Sequence, residues 1–446
     1  MESTIRALIV PLCERLIKQL SEFSQHPQRP VITLFAIELL VAKLLAQVAV
    51  ELIPGLIRLW CGRGGESGGV ACRGCGGRMR LQGYLWRAVV SCVGRFAYER
   101  AYYYCRACHE SRIPLDERLD LSARECSPRL QRLVAFLSAH LSFGVVAQAL
   151  TECHSVAVST ETVRQVAEEV GQEARAWEDK QRARYEQAGS AGPARTARSQ
   201  TWVLECDGKQ VGFQDGRWQE VKVGVIYELG ARVQTHEGRH ELLKREIIAR
   251  RCGWEEFAHH FWAAMQRAGV REGDRLVAVA DGAHSMEQVF AFVAPEARRV
   301  RDFYHVAERL HWIGEVRFGA ETKASRGWTQ AQLHKLKESE AAQVVRSIAH
   351  LKLDGKQAAE TRRQVLGYFR NHQEAMDYAA YRREGLPIGS GAVEGGCRLI
   401  GARTNGCGRR WGEEGCDEIV ALRVAVLNER LDLIRPRPQL AMGLAA

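Results

Sequence analysis

The stretch TWVLECDGKQV, residues 201–211, decides how the second half of the chain is read. Thr201 to Cys206 is rich in strand-forming residues and predicts a strand ending on Asp207. Gly208 lets the chain turn away, so the carboxylate emerges at the strand end. The construction recurs at Ala278-Val279-Ala280-Asp281-Gly282, where Arg275 to Ala280 (RLVAVA) predicts a short buried strand. A third acid, Glu394, lies in Gly389-Ser390-Gly391-Ala392-Val393-Glu394, a glycine-rich turn running into a helix. A single Asp-Gly is more often an ordinary turn. Its repetition in strand-end context, followed by the glycine-flanked glutamate, points to one shared site. Two strand-end aspartates and a helix-borne glutamate are what an RNase H-like active site uses. Their hard oxygens suit Mg²⁺ or Mn²⁺ and in-line displacement at a phosphodiester. Glu205 is a weaker competitor for the first position, and Glu384 and Glu413 are fallbacks for the third.

Outward from these acids the chain divides by composition. Val221 to Tyr227 and part of Leu242 to Ala249 predict further strands, and Trp254 to Ala268 has helical spacing. Val300 to Phe303 predicts a strand leading into a helix through Trp312. Residues 329–381 read as a helical insertion, and Asp417 to Leu433 as a closing helix. Residues 201–433 thus form one catalytic domain. Before it, 176–200 is polar and reads as a linker, since Gly189 to Pro193 cannot continue a helix. Residues 128–175 are helical. There Phe143 to Glu152 and a helix capped by Ser159, with Glu161 in its first turn, give a helix-turn-helix pattern that any packed helix pair would share. Residues 1–60 read as two helices split near Pro27 to Pro30, with faces wide enough to pack on each other or on a second copy. A glycine-rich break at Gly62 to Gly69 follows. The fold class is a multidomain α+β or α/β chain.

The module at 72–116 is set by its cysteines. Cys72-Arg-Gly-Cys75 and Cys105-Arg-Ala-Cys108 are separated by 29 residues that alternate like a hairpin, with Gly94 near the turn. Two knuckles joined by a hairpin make a zinc ribbon, a closed four-sulfur site that supplies folding energy to a module with little core. Cys92 and His109 lie close enough in sequence to replace one ligand. Arg73, Arg78, Arg80, Arg87, Arg95, Arg100 and Arg106 alternate with Tyr and Trp, which suits either a nucleic-acid surface or a solvated basic face.

The 446 residues carry 63 Lys and Arg against 53 Asp and Glu, a formal charge of +10 that fits a polyanionic partner without requiring one. The other ten of the 14 cysteines are scattered singly, which excludes a secreted disulfide framework and favours a reducing cytoplasm. No leader pattern is evident, and the apolar stretch Val31 to Leu56 is interrupted by Glu38, Lys43 and Glu51, so no membrane role is expected.

After Glu394 comes Gly395 to Gly412, with Arg398, Arg403, Arg409 and Arg410 and no acid, as expected of a segment gripping a phosphate backbone beside a metal site. A solvated loop reads the same way. The succession of a CxxC ribbon, LECDGKQV, VADGAHSM, DFYHVAERLHW, GSGAVEGGCRLIGARTNGCGRRW and ALRVAVLNER resembles the insertion-sequence DDE transposases of the ISKra group, over about 72–432. The resemblance implies an RNase H-like core with a helical insertion, a catalytic triad of Asp207, Asp281 and Glu394, and a supporting or DNA-touching role for Asp302 and His305 in Asp302-Phe-Tyr-His305. For His305 a satisfied core histidine is an equal alternative. The function then expected is end cleavage and joining of 3′-hydroxyls to target DNA. Its partners would be double-stranded DNA, at terminal repeats and target, and a second copy in a homodimer or higher oligomer, in a bacterial cytoplasm at the nucleoid. A nuclease without strand transfer and a zinc-ribbon DNA-binding regulator are the rivals.

Overall fold

A computed structural model describes residues 2–25, 33–65, 69–121, 124–189, 199–236 and 239–436. The expected helix break at Pro27 to Pro30 lies outside them. The chain forms two compact units, Met1–Ala167 and Glu168–Ala446. It is a mixed α+β protein.

In the first unit, α1 (Glu2–Gln25) and α2 (Leu34–Cys61) form a helical pair, with Thr33 capping α2 through a hydrogen bond from the Ala36 amide. β1 (Arg80–Ser91) and β2 (Gly94–Tyr104) are an antiparallel hairpin closed between Ser91 and Gly94, to which β3 (Ser111–Arg112) adds. A short α3 (Pro114–Arg118) follows, then α4 (Pro128–Ser138), α5 (Phe143–His154) and the start of α6 (Thr160–Ala188), whose residues from Glu168 on belong to the second unit. Ser127 and Ser159 cap α4 and α6 with their hydroxyls, as side chains that accept from unpaired first-turn amides do. Leu130, Val134, Val146, Leu150, Val163 and Val166 close these helices into one core.

The second unit is built on a five-stranded sheet. β4 (Thr201–Gly212), β5 (Trp218–Glu228) and β8 (Glu246–Arg250) form an antiparallel meander, while β9 (Arg275–Ala280) and β10 (Arg298–Arg301) run parallel to β4, giving the order β10-β9-β4-β5-β8. β6 (Arg232–His236) and β7 (Arg239–Leu242) make a separate hairpin. Strand alternation sends Trp202, Leu204 and Cys206 to one face, where Phe257 and Phe261 of α7 (Trp254–Ala268) and Phe290 of α8 (His284–Val293) bury them. Glu205 and Asp207 point to the other face, covered by α14 (Gly391–Thr404). Gly396 lets the helix sit close there, since a Cβ would lie 3.0 Å from Val225 Cγ2. Between β10 and α14 come α9 (Phe303–Phe318), α10 (Lys323–Lys337), α11 (Ala341–Ala349), α12 (Lys356–His372) and α13 (Tyr378–Arg383); α15 (Glu413–Leu427) and α16 (Leu431–Ile434) end the described chain.

Four sequence expectations are corrected. The region read as a linker from residue 176 is helix as far as Ala188, stopping at Gly189 with φ +71°; its Arg, Gln, Glu and Ala residues are helix formers. The helical stretch read from 329 opens earlier, with α10 at Lys323. Phe303 opens α9 rather than ending a strand. The closing helix breaks at Asn428, whose side-chain amide pairs with both backbone groups of Ile247.

Candidate functional site

The cysteine cluster is built by two matching loops. Cys72 N–H donates to Gly77 O and Gly76 N–H to Cys72 O; Cys105 N–H donates to Glu110 O and His109 N–H to Cys105 O. The residue before each closing carbonyl is left-handed, Gly76 at φ +71° and His109 at φ +58°, so the second knuckle bends a non-glycine residue into the same shape. The ligand atoms of Cys72, Cys75, Cys105 and Cys108 all lie within 4.8 Å of one another. Four thiolates at about 2.3 Å from a tetrahedral Zn²⁺ stand about 3.8 Å apart, and Cys75 Sγ to Cys105 Sγ is 3.7 Å. This four-cysteine set fits a structural metal such as zinc. Cys92 is instead packed with Cys126 and Leu130, and His109 Nδ1 is 2.8 Å from Tyr104 Oη, so neither replaces a sulfur. The basic face around the cluster is partly neutralised: Arg73 pairs with Glu117, Arg95 with Glu125, and Arg87 and Arg100 with the buried Asp116.

Asp207 and Asp281 are brought level by strand register. The last β4–β9 pair is Glu205 with Val279, so Asp207 and Asp281 each lie two residues past that pair, near enough for their charges to interact. Asp207 is therefore not at the end of β4, which runs on beside β5 to Gly212; it marks where β4 outruns β9. Each aspartate has one oxygen held by backbone: Asp207 Oδ1 accepts from Gly208 N–H at 2.7 Å and Asp281 Oδ1 from Ala283 N–H at 2.8 Å. Burial, and then the neighbouring Asp281 charge, hold the Asp207 carboxyl above its ordinary range.

Glu394 lies in the first turn of α14, the helix that packs on β4. One helical turn on, at the same face, Cys397 sends its thiol to Asp207 Oδ2 at 3.8 Å, and burial raises that thiol to about 12. Glu394 is half-exposed, 3.6 Å from Arg398. Among the described residues the four cysteines are the only set of three or more ligating side chains with all ligand atoms within 4.8 Å, so the carboxylates of Asp207, Asp281 and Glu394 do not form such a set.

Two buried acids fix where α14 starts. Glu205, fully buried, accepts from Tyr227 Oη–H at 3.0 Å and from Val393 N–H at 2.8 Å; burial pushes its carboxyl up to about 7. It shares the face of Asp207 but is spent on the helix end, which removes it as a competing ligand. Asp302, also fully buried, caps α9 through Tyr304 N–H and takes the Ser390 N–H and hydroxyl, tying the start of α9 to the turn before Glu394. His305 stands near the two aspartates: burial pulls its pKa down, but Asp302, Glu308 and Asp281 outweigh it and the net shift is upward. Tyr368 of α12 donates its hydroxyl to the Asp281 carbonyl at 2.7 Å. The sequence reading missed Cys397 and Tyr368. The first was legible as the i+3 neighbour of Glu394, whereas the second depends on tertiary packing alone. Glu384 is bound by Arg275 and Arg298, and Glu413 by Arg217 and Arg251, so neither fallback acid joins the site.

The arginine segment is also corrected. Residues 391–404 are helix, and Arg403 is buried with its guanidinium 5.0 Å over the Trp411 ring; burial pulls its pKa down to about 10. Arg403 thus supports the fold and offers nothing to a backbone phosphate. Arg409 bonds the carbonyls of Ala402 and Arg403, while Arg410 lies 5.4 Å over Trp218. Arg398 remains with its side chain 83% exposed, one turn beyond Glu394.

Residues 78–432, a span holding all three acids, match a family described as an uncharacterised protein family, UPF0236. No curated protein matches the chain.

Proposed function

We propose that this chain, which belongs to the uncharacterised protein family UPF0236, is a DNA transposase with an RNase H-like catalytic core, in keeping with its motif resemblance to the ISKra group. The observation that carries the reading is the pair Asp207 and Asp281, each two residues past the last β4–β9 pair and interacting in charge, with α14, the helix that bears Glu394, touching Asp207 through Cys397. The strand order supports it too, since an RNase H-like sheet has an antiparallel three-strand meander whose first strand is followed by two parallel ones. Asp207, Asp281 and Glu394 are the residues that would hold Mg²⁺ or Mn²⁺; bound there, the ion would acidify an attacking hydroxyl and offset charge on the phosphate. The backbone amides of Gly208 and Ala283 aim the second oxygen of each aspartate into the site, and Glu205 and Asp302 hold the helix end that carries Glu394. Arg398 is placed to meet a phosphate beside the reacting one.

In the first step water forms a P–O bond and the 3′-oxygen leaves as a hydroxyl. In the second that hydroxyl attacks a target phosphodiester, one P–O bond again replacing another. The zinc ribbon and the α4–α6 helices would bind the element ends, and two ends require at least a homodimer. The test is strand transfer: purified protein with pre-cleaved element ends, target plasmid and Mg²⁺ or Mn²⁺ should give joined products, lost in Asp207→Asn with end binding kept. Hydrolysis without joining would make the protein a nuclease, and no metal-dependent nicking at all would leave a DNA-binding regulator.

A further inference from the structure

The α1–α2 hairpin is covered on one side only. Leu12 and Leu44 are its only buried residues, Leu8 packs over Gly55, and Arg15 pairs with Glu51 across the two helices. The C-terminal half of α2 also lies against β2. Elsewhere both helices show apolar stripes at helical spacing. On α2, Leu34, Val41 and Leu45 are exposed at 71%, 45% and 61%, and the same face continues through Leu52 and Leu56 to Trp60 at 62%. On α1, Ile9, Ile17 and Leu20 follow one another on one face at 40%, 64% and 43%. The exposed large apolar side chains of the hairpin amount to on the order of 1,000 Å², against a few hundred for the largest patch on a typical monomer and about 800 Å² per partner in a stable interface.

The charges say what covers this surface. The two helices carry five acids (Glu2, Glu14, Glu22, Glu38, Glu51) and five bases (Arg6, Arg15, Lys18, Lys43, Arg58), so the hairpin is neutral although the whole chain is basic. A neutral apolar face gives nucleic acid no counter-charge, and it lacks the Lys- and Arg-rich polar side of a helix that lies on anionic lipid. No helix among the described residues is long and apolar enough to cross a membrane. A face this large, neutral and carried on two antiparallel-packing helices is suited to its own copy, since a two-fold interface places the same patch on both sides.

We propose that α1 and α2 are the self-association surface of the chain, two hairpins packing face to face as a four-helix bundle. The inference stands on burial and charge, and does not depend on the catalytic reading. The test is the solution mass of the full chain by light scattering at micromolar concentration. The wild type should run as two chains of 50.0 kDa each and Val41→Lys/Leu45→Glu as one, with zinc content and circular dichroism unchanged. In a mixed ¹⁴N/¹⁵N sample, an amine cross-linker should give heavy–light links at Lys18 and Lys43, which reads the contact even if the double variant folds poorly. A monomeric wild type, a well-folded variant that remains dimeric, absence of heavy–light links at these lysines, or binding of the hairpin face to phosphatidylglycerol vesicles would each overturn the proposal.

Discussion

Glu205 offers a quantitative test of how the acid corner is built. Its carboxyl is fully buried between Tyr227 and the first turn of α14, and burial raises it from 4.5 to about 7. The folded state therefore binds this proton more tightly than the unfolded chain. The stability from that proton is fully present below pH 4.5, falls as pH rises, and is lost above about 7. A shift of this size corresponds to about 3 kcal/mol, or roughly 5 °C in Tm for a unit this large. Glu205→Gln mimics the protonated acid, its amide donating to Tyr227 Oη while its oxygen accepts from Val393. The variant should thus match the wild type near pH 4.5 and gain on it by about 3 kcal/mol by pH 8. Paired urea titrations of both proteins from pH 4.5 to 8, followed by tryptophan fluorescence, isolate the term, because all other titrating groups cancel in the difference. A difference that stays constant with pH would refute the reasoning, since Glu205 would then be ionised in the folded state at no cost.

Other perturbations separate structural from functional groups. The wild type should hold one zinc per chain by elemental analysis, and Cys105→Ser should lose it and leave the ribbon open to proteolysis; a metal-free wild type with an intact ribbon would argue against a structural ion. Arg398→Ala should lower the salt dependence of DNA binding by about one unit, while Arg403→Met should leave it unchanged and lower stability by about 1–3 kcal/mol. The reverse pattern would mean that the exposed and buried arginines have been assigned the wrong way round. In α6, Gly171→Ala would put a Cβ 2.2 Å from the Glu418 carbonyl oxygen, so calorimetry should show a loss of about 2 kcal/mol in place of the usual gain of about 1 in a helix.

The parts of the fold that were legible in sequence are those dictated by local pattern. The apolar run Arg275–Ala280 and the periodic Trp254–Ala268 occur as a strand and a helix with those boundaries, because burial on a sheet and on one helical face leaves a direct imprint. The two knuckles were equally plain. Asp207 was found by its Asp-Gly signature, yet its level with Asp281 comes from register and cannot be read from either segment. Residues 176–188 looked like a linker because their polarity masked good helix formers. Arg403 was misread as solvent-facing although it follows the buried Gly396 and Ile400 at helical spacing. The Asn428 side chain bonds both backbone groups of Ile247, a partner 181 residues away that no local pattern reveals.

Anomalous scattering from Mn²⁺-soaked crystals tests directly whether Asp207, Asp281 and Glu394 share a divalent cation. The prediction is a manganese peak between Asp207 and Asp281 at oxygen-ligand distance, about 2 Å, with Glu394 turned toward it, and no such peak in Asp207→Asn. Manganese bound elsewhere on the second unit, or a corner that stays without metal while Glu394 remains on Arg398, would contradict it.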